Sequence, residues 1–268
     1  MMDILQRSGM ESIATQERLE KQERLIALYT HKKAAWQEIK EIAQKEGVAD
    51  NLVLNTPSIT QNFLDSKIKI MIVGQESNGW NFFLKQLWVD TDRNFRDSIQ
   101  EAMGKTEKFQ SKTKSNNTQF WQFAASVYNE FNEKIDKKDS IKSYFFWTNL
   151  RKICYDNKPK KSLPQALQTQ IDNELNILLL QEIKIINPNI VLFLSGPDYD
   201  TYIKQQLKGA RFNKVGVFKE REMAYITHED LQNIIMLRIY HPRYFSLKIK
   251  KANPEYFKTI IETIRNAI

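Results

Sequence analysis

The chain contains one cysteine, Cys154, in 268 residues. A single thiol excludes an intramolecular disulfide, a zinc site built from several cysteines and a four-cysteine iron–sulfur cluster. Histidine is nearly as scarce. His31, His228 and His241 lie too far apart in the chain to suggest a metal cluster. Neither a metal nor another cofactor is expected. Long apolar runs are also missing: the longest, such as 68–74 and 190–194, fall far short of the ~20 residues that cross a bilayer. The first nine residues are polar and lead into a charged stretch, so no secretory leader is read there. A cytoplasmic protein without membrane contact is expected. No G-x-x-x-x-G-K-[ST] phosphate loop occurs, and Ser195-Gly196-Pro197 lacks the residues of a nucleophile elbow. Those absences disfavour a nucleoside triphosphatase and a serine hydrolase.

What is abundant is positive charge, with a formal net of +8. A basic surface attracts polyanions and speeds encounter with nucleic acid. The bland alternative is a lysine-rich, isoleucine-rich composition with no partner behind it.

The hydrophobic pattern alternates strand and helix. Residues 15–46 read as a helix or helical pair, with an apolar stripe through Leu19, Leu25, Ile26, Tyr29, Trp36, Ile39 and Ile42. Four buried strands are expected at 68–73, 143–150, 190–195 and 233–239, with a small extra strand at 223–227. Helices are expected at 81–87, 93–103, 120–131, 167–186, 198–207 and 254–268, and an exposed lysine-rich loop at 104–117. This order predicts an α/β chain. Its expected form is a three-layer α/β/α domain around a mostly parallel four-stranded sheet at 51–268, preceded by an N-terminal helical arm at 1–50.

Open parallel sheets bind ligands beyond the carboxyl ends of their strands. Four strand-ending loops carry distinctive polar, glycine or proline signals: 74–80, 149–155, 195–199 and 241–246. Their order is IMIVGQE, FFWTNLRKIC, PNIVLFLSG and IYHP. It resembles the successive motifs of the uracil-DNA glycosylase superfamily. Gly74, Gln75 and Glu76 match the start of the first motif, with Glu76 where some branches carry a catalytic aspartate. Thr148, Asn149, Lys152 and, more loosely, Cys154 resemble the second. Pro188–Gly196 is similar to the third, and His241-Pro242 to the last. Three positions depart from the pattern. Ser77 stands where a proline usually follows the acid, Glu76 is one methylene longer than aspartate, and Arg243 replaces a small residue.

The resemblance implies a DNA partner and cleavage of an N-glycosidic bond in a damaged or deaminated base, uracil being the first guess. It implies that Asn149 reads the base edge with its amide. His241 would donate to the base oxygen as charge develops there, and Glu76 would orient water or oppose the cationic sugar. Gln75 and Gly74 would bring backbone amides near the base or a phosphate. Trp80, Phe82 or Phe83 would supply a stacking face, while Arg243, Tyr244 and Lys248 would hold the DNA. Each residue has a plainer reading. Asn149 can cap a turn, His241 can be structural, Glu76 can pair with a cation, and the rings can be core. A non-catalytic nucleic-acid or nucleotide binder of the same fold remains open, as does an interaction protein whose N-terminal helix docks a partner.

Overall fold

The computed structural model describes residues 2–77, 82–87, 89–156, 162–175, 177–244 and 254–268, with backbone alone for 2–14. Trp80, Lys248 and most of the expected loop tip around 78–81 therefore lie outside the described residues.

In chain order the elements are α1 (Met2–Thr30), α2 (Lys33–Lys45), β1 (Leu52–Leu54), α3 (Gln61–Asp65), β2 (Ile70–Gly74), α4 (Asp92–Gln110), α5 (Gln119–Tyr128), β3 (Phe146–Asn149) and β4 (Ile153–Tyr155). They continue with α6 (Gln165–Glu174), α7 (Leu178–Ile186), β5 (Ile190–Phe193), α8 (Asp200–Gln206), β6 (Arg211–Lys214), β7 (Met223–Thr227), β8 (Ile235–Ile239), α9 (Pro242–Tyr244) and α10 (Pro254–Arg265). Among the described residues, no helix is long and apolar enough to cross a membrane.

The central sheet has six strands rather than the four expected, in the order β3-β2-β5-β8-β7-β6. The first four run parallel, and β7 and β6 add antiparallel at one edge. β6 escaped notice because its sequence, Arg-Phe-Asn-Lys, is mostly exposed and has no apolar alternation. Every residue of β2, β5 and β8 is buried, so both faces of the parallel part are covered. A separate pair, β1 and β4, forms a two-stranded antiparallel ribbon.

The N-terminal stripe forms a helical pair. The Trp36 indole N–H donates to the Tyr29 carbonyl at 3.0 Å across the turn, and the two rings lie 6.2 Å apart. Leu25, Tyr29, Trp36 and Ile39 are all fully buried in the main core. The expected helix 81–87 is a single 3-10 turn at Leu84–Gln86 in its described part. The expected 167–186 helix is two helices, and the second ends at Asn187 in the left-handed conformation (φ 49°) just before Pro188.

α4 runs on through the first half of the stretch expected to be a loop and stops at Gln110. The loop proper, 111–118, wraps the buried ammonium of Lys142, which donates to the carbonyls of Lys112 (2.6 Å) and Lys114 (2.8 Å). Burial pushes that ammonium down to about 8. An unfolded chain holds this proton up to the ordinary lysine value near ~10.4. Between those values the folded chain binds fewer protons, so this residue's contribution to stability rises with pH from 8 upward and is lost as pH falls through it. The wild type should therefore gain urea resistance relative to Lys142→Met between about pH 7 and about pH 10. A difference that stays constant across that range would show that the ammonium titrates normally.

Candidate functional site

Parallel pairing sets the strand ends level. Gly74 is the Cα partner of Asn149, Val73 of Phe193, and Phe193 of Arg238. The loops that follow are then stitched to one another. The Arg151 N–H donates to the Gln75 carbonyl (3.0 Å), and the Gly196 N–H to the Ile239 carbonyl (2.9 Å). The Gln75 side-chain amide donates to the Ser195 carbonyl (2.6 Å). Gln75 thus serves as a brace between the first and third loops. Four segments distant in sequence form one edge, which is where an open α/β sheet takes its ligand.

Asn149 is buried, and its amide N–H group reaches the Asn55 side-chain oxygen and the Ser77 hydroxyl, each at 3.3 Å. Its carbonyl oxygen lies against Gly74, so close that a Cβ there would collide with it. Glycine is required at that position by packing, since its backbone is ordinary strand. Ser77, one of the departures, uses its hydroxyl to hold the asparagine.

Asn55 is a residue that the sequence did not flag. It is 1% exposed, and its amide nitrogen has no hydrogen-bond partner among the described residues. A buried donor left unmade costs about 1–3 kcal/mol, so such groups mark places where a ligand or water completes the structure. Nothing in the stretch LVLNTP distinguishes it from an ordinary loop asparagine.

Glu76 is engaged on both oxygens. Arg151 donates to Oε2 at 2.7 Å and the Tyr199 hydroxyl to Oε1 at 3.1 Å, and the carboxylate side chain is 2% exposed. Burial, followed by the charge of Glu76, pushes the Tyr199 phenol up. The same two causes push the Cys154 thiol up to about 12, so it is no thiolate nucleophile near neutral pH. Arg151 and Tyr199 were not anticipated, since nothing local marks an arginine or tyrosine as a carboxylate's partner.

His241 is half-buried, its ring 5.6 Å from Phe120. The Arg243 backbone N–H donates to its Nδ1 at 3.2 Å. A neutral ring held this way carries its proton on Nε2, the orientation needed for a donor. Arg243 and Tyr244 are exposed, and the Tyr244 ring packs tilted against Tyr240 with centroids 4.5 Å apart. Phe83 lies beside the strand that leads into Asn55. It bridges Val53 beside β1, with the Lys85 ammonium 5.9 Å from its ring.

Beneath this edge lies a buried charged network. Lys152 donates to Glu182 (2.7 Å) and to the Thr148 hydroxyl, while the Tyr29 hydroxyl donates to Glu182 (2.5 Å). Arg238 in β8 makes a two-pronged bond to Asp200 (2.8 and 3.0 Å), fixing α8 behind the third loop. A cavity of about 30 Å³ behind Arg151 and Gln206 has room for a water but not for a base. A larger groove, about 500 Å³, lies near Arg211, Tyr225 and His228, at the end of the sheet away from the strand-end loops. Among the described residues, no group of three or more His, Cys, Asp or Glu side chains is placed to hold a metal.

No curated protein and no solved structure matches the chain. A family model for the uracil DNA glycosylase superfamily matches residues 61–265. That span takes in the parallel strands and all four strand-end loops, though Asn55 lies just outside it. With most of its length matched and its loops gathered on one sheet edge, the chain belongs to the uracil DNA glycosylase superfamily.

Proposed function

We propose that the protein hydrolyses the N-glycosidic bond of a damaged or deaminated base, uracil first, flipped out of DNA. The observation that carries this reading is the presentation of His241. Its Nδ1 accepts from a backbone N–H, so a neutral ring bears its proton on Nε2, the form in which an imidazole can donate to a leaving base. When the C1′–N bond breaks, its electron pair goes to the base and charge collects on a base oxygen. A positioned donor there lowers the barrier by a few kcal/mol. Water adds to C1′ and gives up a proton, which ends on the departing base anion. Asn149 and Asn55 supply amides to read the base edge, and Glu76 opposes the cationic sugar. For Glu76 to orient the water, the Tyr199 hydroxyl must yield one carboxylate oxygen.

A second reading draws on that same carboxylate. Glu76 is tied into a buried ion pair, which suits a non-catalytic binder of nucleic acid. Release of free base from oligonucleotides containing uracil, hypoxanthine or xanthine separates the two. An enzyme releases at least one of these bases, and Glu76→Gln slows release by about 100-fold or more. A binder releases none, and its salt-dependent DNA affinity survives the substitution. Absence of both release and binding would sink both readings.

A further inference from the structure

One basic loop is held by an unusual set of buried bonds among the described residues. Loop 111–118 is built around Lys142, a wholly buried side chain. Its ammonium is satisfied by the carbonyls of Lys112 and Lys114 and by the Asn116 side-chain oxygen (3.2 Å), and it lies 5.0 Å from the Phe109 ring. No carboxylate pairs with it among the described residues. Burying an ammonium is expensive, and a loop that only needed to stay soluble would not require one. Further bonds tighten the same turn. The Ser140 hydroxyl donates to the Lys112 carbonyl (2.8 Å), and the Asn116 amide to the Asp139 carbonyl (2.9 Å). Ser115 is held at φ 73°, a conformation costly for a residue with a Cβ.

The two carbonyls drawn inward belong to Lys112 and Lys114 themselves, whose side chains are exposed. Neither lysine, nor exposed Lys108 in the last turn of α4, forms an ion pair with a described residue. The nearby acids are occupied: Asp139 accepts from the Tyr144 hydroxyl (2.6 Å), and Glu107 pairs with Arg18. The loop's two ends are anchored at the site. Phe109 packs on Trp147 of β3 (5.5 Å), two residues before Asn149, and Phe120 packs on His241 (5.6 Å).

We propose that Lys108, Lys112 and Lys114 form a clamp for the DNA phosphate backbone at the rim of the strand-end site, its shape set by Lys142. The proposal rests on the nucleic-acid reading above and names a contact surface within it. A pre-shaped cationic loop binds a polyanion without reading sequence, and holding the backbone rigid lowers the ordering cost on binding.

The test is the salt dependence of binding of the full-length chain to a uracil-containing duplex and to a plain duplex, followed by fluorescence anisotropy. Each phosphate neutralised contributes about −0.9 to the slope of log K against log salt. The Lys112→Ala/Lys114→Ala variant should have a slope shallower by about 2, with both duplexes weakened alike. Lys208→Ala/Lys214→Ala, an equal charge change on the β6 side, should leave the slope as it was. Lys142→Met, which keeps both surface lysines but removes their pin, should weaken binding while preserving the far-UV spectrum. A wild-type slope in the Lys112/Lys114 variant, or an equal change in the Lys208/Lys214 control, overturns the clamp while leaving the base-release reading intact. A wild type that binds neither duplex at low salt removes the clamp and the nucleic-acid reading together.

Discussion

Glu182→Gln is expected to destabilise the protein by about 3–5 kcal/mol, the cost of stranding a buried charge. Lys152 is 3% exposed at its side chain and Glu182 is 0% exposed, so neither charge has water to fall back on. Burial alone pushes the Lys152 ammonium below the ordinary lysine range, and Glu182 opposes that shift. Without the carboxylate, the Tyr29 hydroxyl loses its charged acceptor and the Lys152 ammonium keeps only its bond to Thr148. The effect should appear as a lower urea midpoint with little change in slope. Lys152→Met/Glu182→Leu, which removes both charges and fills the space, should recover to within about 1–2 kcal/mol of wild type. A single variant costing under about 1 kcal/mol would mean that water reaches the pair. The network joins three elements: α1 through Tyr29, α7 through Glu182, and β3 through Thr148. It therefore fixes the strand end that delivers Asn149.

His241→Ala is expected to lower single-turnover base release by about 100–1000-fold, the usual effect of losing one donor to a developing oxyanion. Its half-buried ring packs on one face against Phe120, so the fold should survive the truncation. Asn149→Ala should cost a similar factor by a different route. The amide it removes also satisfies Ser77 and Asn55, so part of the loss should appear as lower thermal stability. Comparison of melting temperatures separates the two cases. A His241→Ala enzyme within about threefold of wild type would remove the imidazole from the reaction.

The strand-end loops were legible because each follows a mostly apolar run and carries glycine, asparagine or histidine, and such runs point to buried parallel strands. Within those loops, the resemblance to the family's motifs named Gly74, Gln75, Asn149 and His241. The partners of those residues could not be named. Arg151 and Tyr199 reach Glu76 across separations of 75 and 123 residues, and no local pattern encodes such a meeting. The added edge strand, β6, was hidden by its exposure, and the split of 167–186 into two helices by uninterrupted apolar spacing.

Local chemistry therefore specified the alternating elements and the loops at the strand ends, because periodicity and turn residues act within a few positions of the chain, while the order of motifs in those loops carried the resemblance to the family. Packing across the sheet settled the rest. It turned Gln75 into a brace, closed Glu76 in an ion pair, set Asn55 beside Asn149 and wound a basic loop around Lys142. Such outcomes depend on which distant side chains share a low-dielectric interior, where an unpaired charge or donor is costly.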